Sequence, residues 1–186
     1  ESVDVSKIAI GCRLYESIYS KFITGDVSIL DGLNLLKNYR FTGQETMRIF
    51  IRSKFGDKDY TVDDDSIDCT FRIYKVANVQ RPGQQILAYQ LKLCDPRMMT
   101  ARTTRVSQVL RGSYSEMLLK IVTPVTGMNI QNTDIVKWTK TYPENLQFVS
   151  PNWSVGRLID YFTTEGSAGH GFTSYKNGMF FYQTLN

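Results

Sequence analysis

The sequence predicts a β-rich protein of the α+β class, with a β-rich body over residues 1–95 and a smaller helical and α+β segment over residues 96–186. Two observations predict this order. Before residue 95, apolar and polar residues alternate in several short runs, which is the period of a strand with one buried face. After residue 95, apolar residues recur at helical spacing behind a capping serine. Strands followed by helices indicate an α+β fold.

The first strands are predicted from alternation and from glycine. Between Ser6 and Leu14, apolar residues occupy every second position, so a strand with one buried face is expected. A second extended stretch, from Ile18 to Leu30, contains Thr24-Gly25-Asp26, where glycine is expected to introduce a bulge or a sharp bend. Asp31 is then expected to cap a short connecting helix that runs from Gly32 to Lys37.

The clearest alternation begins at Thr46 and predicts a strand with two unlike faces. One face carries Met47, Ile49 and Ile51, and the other carries Thr46, Arg48, Phe50 and Arg52. A polar acidic loop from Gly56 to Ser66 leads to another alternating run, Ile67 to Tyr74. Arg81-Pro82-Gly83 then predicts a turn, because proline presets one dihedral angle and glycine accepts a positive φ. A hairpin with the run from Leu87 to Leu93 is therefore expected.

Two helices are predicted in the second part of the chain. Ser113 precedes apolar residues at helical spacing, and Glu116 stands three residues after it, as in a capping box. A second helix is expected from Pro151 to Glu165, ending at Gly166. Its apolar stripe consists of Val155, Leu158, Ile159 and Phe162. Residues 179–182 are expected to form the return strand of a final hairpin.

The composition argues against several classes of protein. The 22 basic and 18 acidic residues give a net charge of +4 and are interspersed, which is not typical of a nucleic-acid-binding patch. No apolar stretch approaches the roughly 20 residues that span a bilayer, so no membrane anchor is expected. Cys12, Cys69 and Cys94 lie far apart in apolar or alternating segments, so we expect small buried side chains and a reducing compartment rather than disulfides. Both chain ends are expected to be cut ends of a longer polypeptide.

Candidate catalytic and metal-binding residues are few. His170 is the single histidine, which excludes multi-histidine metal sites, and no nucleophile motif accompanies it. The aspartates between Asp57 and Asp68 lack the spacing of a calcium loop, so a solvated loop that protects a strand edge is expected. The glycine-rich run from Gly166 to Gly171 lacks the ending of a phosphate loop. We therefore expect no enzyme, no metal site and no cofactor.

Basic and aromatic residues share the polar face of the predicted sheet. Arg48, Phe50 and Arg52 lie on one strand, and Arg72 and Tyr74 lie on the next. Such a face would suit single-stranded nucleic acid, whose bases stack on aromatic rings while cations follow the backbone. It would equally suit a face that a neighbouring subunit covers, and this second interpretation is favoured.

Nine segments spread along the chain carry a resemblance to a known family. They are Leu14-Tyr15-Glu16-Ser17-Ile18, Phe22 to Asp31, Phe41 to Thr46, Phe71-Arg72-Ile73-Tyr74, Tyr89-Gln90-Leu91, Arg105-Val106-Ser107, Gly112 to Met117, Ser150-Pro151-Asn152-Trp153 and Gly178 to Thr184. Together they resemble hub and tail structural proteins of contractile-tailed phages of the T-even-like group. The likeness covers most of the chain, and each segment is moderately specific.

The resemblance implies that residues 1–95 form an antiparallel, tube-like β-barrel domain of the baseplate hub, without an active site, in a protein that forms a homotrimeric ring. Residues 96–186 would include the start of a second, truncated tube-like domain. The implied partners are other copies of the chain, the membrane-piercing spike protein, the tail tube protein and baseplate neighbours, with DNA only passing through the lumen. The protein would be assembled in the host cytoplasm and located in the virion tail. Arg48, Phe50 and Arg52 are then expected to face the ring lumen or an adjacent subunit.

Two functions of other classes stay open from the residues. A phage cell-wall hydrolase domain would need a carboxylic acid with a raised pKa in a cleft. A nucleic-acid-binding module would bind in a strongly salt-dependent manner.

Overall fold

The computed structural model describes residues 2–39, 41–52, 66–83, 86–127, 141–142, 145–168 and 180–185. The described chain is mixed α+β and rich in strands, and a five-stranded antiparallel sheet curls into a half-barrel. Two compact units are present. The first unit comprises Glu1–Pro96 together with Gln183–Asn186, and the second unit comprises Arg97–Tyr182. Among the described residues, no helix is both long and apolar enough to cross a membrane.

The first unit is built on one sheet. Its elements are β1 (Ala9–Tyr15), β2 (Thr24–Asp31), helix α1 (Leu35–Asn38), β3 (Thr46–Arg52), β4 (Ser66–Gln80) and β5 (Leu87–Cys94). The strand order is β1-β2-β5-β4-β3, and every pairing is antiparallel. The strands predicted near residues 6–14, 46–52, 67–74 and 87–93 are thus confirmed. The closed barrel predicted for residues 1–95 is not shown by the described strands, which end at β1 on one side and β3 on the other.

The alternation of the strands separates two faces of the sheet. On the core face, side chains such as Phe71, Leu91 and Leu93 are almost completely buried because apolar residues from neighbouring strands stand opposite each other. The buried cluster consists of Ile23, Val27, Ile29, Ile49, Phe71, Ile73, Tyr89, Leu91 and Leu93. The opposite face, here called the outer face, carries the alternate residues, among them Arg48, Phe50 and Arg72.

Gly25 does not interrupt β2, so the predicted bend at Thr24-Gly25-Asp26 is wrong. All three residues pair in register with both β1 and β5. A Cβ at Gly25 would lie 2.7 Å from the carbonyl oxygen of Arg13 and 2.8 Å from Leu14 Cδ2. Glycine is therefore required here for the close approach of β1. The irregularity lies in β1 instead, where the register shifts between Ala9 and Gly11.

The short helix α1 begins later than the predicted range of residues 32–37. Its N-cap is Asn34, with a φ of 58°. Asp31 nevertheless organises the turn, because its carboxylate accepts hydrogen bonds from the amides of Leu33 at 2.8 Å and Leu35 at 2.7 Å. The hydroxyl of Tyr89 is also hydrogen-bonded to Asp31. Burial, followed by the charge of Asp31, raises the pKa of Tyr89 to about 12.

The second unit consists of short strand pairs and helices. Its elements are α2 (Pro96–Thr103, starting at the end of the first unit), β6 (Arg105–Val106), β7 (Val109–Gly112), α3 (Tyr114–Thr126), β8 (Thr141–Tyr142), β9 (Leu146–Val149), β10 (Trp153–Ser154), α4 (Val155–Glu165) and β11 (Ser167–Ala168). The strand pairs are β6 with β10, β7 with β9, and β8 with β11. The sequence interpretation missed α2, although proline at a first helical position is a known start signal.

Both predicted helices of this unit are present. Ser113 caps α3: its hydroxyl accepts a hydrogen bond from the amide of Glu116, and the Glu116 carboxylate accepts one from the amide of Ser113. α4 buries the predicted stripe of Val155, Leu158, Ile159 and Phe162. It starts at Val155 rather than Pro151, because Trp153 and Ser154 form the short strand β10.

Aromatic rings hold α4 against β9 and β10. The ring of Phe148 lies 5.1 Å from the ring of Tyr161 and 5.3 Å from the ring of Phe162, measured between centroids. The guanidinium of Arg157 lies 4.2 Å from the centroid of the Trp153 ring, a cation–π distance.

Part of the predicted hairpin at the end of the chain can be compared with the structure. Residues 180–182 do not lie in a strand, so that part of the predicted return strand is wrong. The other residues of the hairpin, the acidic loop from residue 56 to 65, and His170 with the following glycine lie outside the described residues.

Candidate interaction surface

The predicted contact residues lie on two paired strands at one end of the sheet order. β3 and β4 pair so that Thr46 stands opposite Arg72 and Phe50 stands opposite Asp68. Arg48, Phe50 and Arg72 therefore lie on the outer face, as the alternation predicts. The backbone of Arg52 ends β3 opposite Ser66, and its side chain is outside the described part of the structure.

Arg48 is held by an ion pair within the outer face. Its Nε donates a hydrogen bond to Asp68 Oδ1 at 2.8 Å, and its Nη2 donates one to Asp68 Oδ2. This hydrogen bonding raises the pKa of Arg48 and lowers the pKa of Asp68. The two side chains are 70% and 41% exposed, so solvent screens the pair and its contribution to stability is small. Its main effect is to fix the direction of the guanidinium beside Phe50.

Phe50 is the most exposed apolar side chain of β3. It is 59% exposed although the ring is large, and the next residue, Ile51, is 42% exposed. Tyr74 on β4 is 42% exposed. Aromatic residues are enriched at protein contacts relative to the rest of a protein surface.

Tyr74 does not continue the regular alternation that places it beside Arg72. Ile73 stands opposite Leu93 and Lys75 stands opposite Lys92, so Tyr74 is the additional residue of a bulge. The bulge brings Lys75 into the outer-face row, opposite Lys92, where regular alternation would place Tyr74. Bulges re-aim side chains, and here both Tyr74 and Lys75 are exposed.

Arg72 is the least exposed of the contact residues whose side chains the structure describes. It stands between Thr46 of β3 and Cys94 of β5 in the sheet register. Its Nε is buried and has no hydrogen-bond partner among the described residues. The stem of Arg72 therefore packs within the sheet surface, as long basic side chains often do.

A row of charges that sequence reasoning missed crosses the outer face. The row consists of one residue from each of four consecutive strands of the sheet, each standing opposite the next: Arg13 of β1, Asp26 of β2, Lys92 of β5 and Lys75 of β4. Asp26 is 3% exposed, accepts a hydrogen bond from the hydroxyl of Tyr15 at 2.7 Å, and lies 3.5 Å from Lys92 Nζ. The alternation along β5 predicts the face on which Lys92 lies. It does not predict that β5 pairs with β2, and this pairing is what aligns Lys92 with Asp26.

Metal-binding and thiol groups do not converge in the described chain. Within the described residues, no three His, Cys, Asp or Glu side chains are placed to hold a metal ion. Cys94 is buried as expected and Cys69 is partly buried, but Cys12 is exposed on β1, so the expectation of burial is wrong for Cys12. Its position at one end of the strand order explains this exposure.

Comparisons with models of known families and with curated proteins find no match for this chain.

Proposed function

We propose that this chain is a structural component of a contractile phage tail, located in the baseplate hub, where copies associate into a ring between the tail tube and the membrane-piercing spike. The phage setting rests on the sequence resemblance alone. The mode of action rests on one observation: Phe50 is exposed on the outer face of the sheet, on the same strand as Arg48, whose guanidinium is oriented by Asp68, and Tyr74 of the neighbouring strand is also exposed. A face of this kind suits a contact with another protein.

The curled sheet supports the same proposal. In the proposed ring, the half-barrel would be one part of a tube-like wall that neighbouring copies complete. β1 and β3 stand at the ends of the described strand order, and terminal strands offer main-chain groups to further strands. The partners would be two further copies, the spike and tail tube proteins and baseplate neighbours, while DNA would only pass through the lumen.

Nucleic-acid binding is the second candidate because basic residues outnumber acidic ones on the outer face. Two of these cations are already compensated within the chain, Arg48 by Asp68 and Lys92 by Asp26. Such pairing reduces the number of phosphates that the face could neutralise. Protein contact is therefore favoured, and nucleic-acid binding that weakens steeply with salt would reverse this preference.

Sedimentation velocity over a wide range of protein concentration tests the proposal. The wild-type chain is expected to shift from monomer towards trimer as the concentration rises. Phe50→Ala should weaken this association roughly tenfold or more, because exposed aromatic residues at contact centres are hot spots. Leu33→Ala removes an apolar side chain that is 62% exposed in the loop after β2, and it should leave the association unchanged.

Two results would count against the proposal. One is a chain that stays monomeric at every concentration reached. The other is equal behaviour of the Phe50→Ala and Leu33→Ala variants, which would mean that the outer face takes no part in association.

A further inference from the structure

The last described residues of the chain return to the first unit. Residues 183–185, here called the strap, follow the second unit in sequence and belong to the first unit by their contacts. The hydrogen bonds involved join groups that are 88 to 169 residues apart along the chain. The first unit is therefore built from two separate parts of the sequence.

The Gln183 carboxamide binds the ends of two neighbouring strands. Its Oε1 accepts a hydrogen bond from the amide of Ile23 at 3.3 Å, just before β2. Its Nε2 donates to Asp95 Oδ2 at 2.6 Å, just after β5. Ile23 and Asp95 are themselves joined, since the Asp95 amide donates to the Ile23 carbonyl at 3.0 Å. A carboxamide carries both an acceptor and a donor, so Gln183 binds the Ile23 amide and the Asp95 carboxylate at the same time.

Leu185 extends the strap to a third strand. Its amide donates to Glu16 Oε2 at 3.2 Å, immediately after β1, and its side chain packs against the buried cluster of the core face. Tyr15, Thr24 and Cys94 stand opposite one another in β1, β2 and β5, so the strap contacts three strands at the same end of the sheet. It closes that end of the hydrophobic core.

We propose that the strap is a latch that opens and closes on the first unit, and that Gln183 is the positioning residue that holds it shut. Hydrogen bonds to Ile23, Asp95 and Glu16 and the partly buried side chain of Leu185 attach the strap to the first unit. A three-residue segment that lies outside the sheet and is not fully buried opens with a smaller free energy than the whole unit needs to unfold. Opening uncovers the ends of β1, β2 and β5 and part of the core beside them. This inference does not depend on the proposed ring.

Hydrogen exchange in the full-length chain tests the latch directly, because the amides of Ile23 and Leu185 are hydrogen-bonded in the closed state. Gln183→Ala is expected to accelerate exchange at these two amides roughly tenfold to a hundredfold, the effect of losing a hydrogen bond to a charged group. Amides in the middle of β2 and β5, such as those of Ile29 and Leu91, should exchange at wild-type rates. Thr184→Ala, which truncates an exposed side chain of the same segment, serves as the matched control.

Swapping the carboxamide and the carboxylate between positions 183 and 95 distinguishes the hydrogen bonds of Gln183 from the bulk of its side chain. Gln183→Glu alone places a carboxylate against Asp95 and should open the latch at least as far as Gln183→Ala. In the double variant Gln183→Glu/Asp95→Asn, the carboxamide at position 95 can donate to the carboxylate at position 183, which still accepts from Ile23. Protection should therefore return towards the level of Asp95→Asn alone.

The latch is refuted if Ile23 and Leu185 stay protected in Gln183→Ala. If adding Asp95→Asn to Gln183→Glu does not restore the protection of Ile23 and Leu185, the proposed role of the carboxamide is wrong. Acceleration of Ile29 and Leu91 to the same extent would also contradict the proposal, because it would show that the strap opens only when the whole unit unfolds.

Discussion

Gly25 illustrates how a single residue controls the first unit. Its lack of a side chain allows β1 to lie against β2, since an added Cβ would stand 2.7 Å from the Arg13 carbonyl oxygen. Because that atom belongs to the backbone, it can move away only if the strand moves. We expect Gly25→Ala to lower the free energy of unfolding by about 1–3 kcal/mol, the usual cost of overpacking. Urea denaturation followed by circular dichroism measures this change.

Gly11→Ala is the control for this prediction. Gly11 lies on the partner strand β1, and within the described residues an added Cβ there meets nothing within 4 Å. Its replacement should therefore change the unfolding free energy by only a few tenths of a kcal/mol. Equal destabilisation by both substitutions would show that close approach at Gly25 is not the cause.

At the level of elements, the start of α3 depends on a reciprocal cap. Ser113 is 1% exposed. Its Oγ accepts a hydrogen bond from the Glu116 amide at 3.3 Å, and its amide donates one to Glu116 Oε2 at 3.1 Å. Gly112 precedes this cap with a φ of 129°, and a Cβ there would lie 2.4 Å from Glu116 Oε2. Glycine therefore suits this position for two reasons: its missing Cβ leaves room for the Glu116 carboxylate of the cap, and it adopts the positive φ readily.

Ser113→Ala should remove this cap while leaving the helix its apolar face. The expected loss is about 1 kcal/mol of unfolding free energy, since one orphan amide at the helix start loses its acceptor. Thermal and urea unfolding of the variant measure the loss. Ser107→Ala, at an exposed serine between β6 and β7, should have little effect, and a similar loss in this control would argue against a specific role for the cap.

The elements also show what sequence reasoning can and cannot predict. The cap at Ser113 and the buried stripe of α4 are local patterns, so the sequence is sufficient to predict them. The role of Gly25 depends on the distance to another strand, and local propensity for a bend was therefore misleading. α2 carries no apolar stripe, which explains why its helical period was not visible.

The candidate surface divides in the same way. Alternation along β3 correctly places Arg48 and Phe50 on one face. The ion pair of Arg48 with Asp68, the bulge at Tyr74 and the charge row through Asp26 all depend on which strands become neighbours. Strand order is fixed by packing between distant segments, and one sequence contains no direct record of it.

At the level of the whole molecule, the chain leaves the first unit after Pro96 and returns to it at Gln183. The return contact joins Ile23 and Gln183, which are 160 residues apart. No periodicity within the final segment indicates such a contact, so a boundary near residue 95 could be proposed from the sequence while the strap could not.

The proposed contact between subunits through the outer face of the half-barrel is tested most directly by hydroxyl-radical footprinting of the full chain at low and high concentration. Phe50 and Tyr74 are exposed, and their rings react readily when solvent reaches them. Both rings are expected to become protected as the mass in solution rises, while the ring of Tyr19, 83% exposed outside the sheet, stays reactive. Association that leaves Phe50 and Tyr74 as reactive as in the monomer would contradict it.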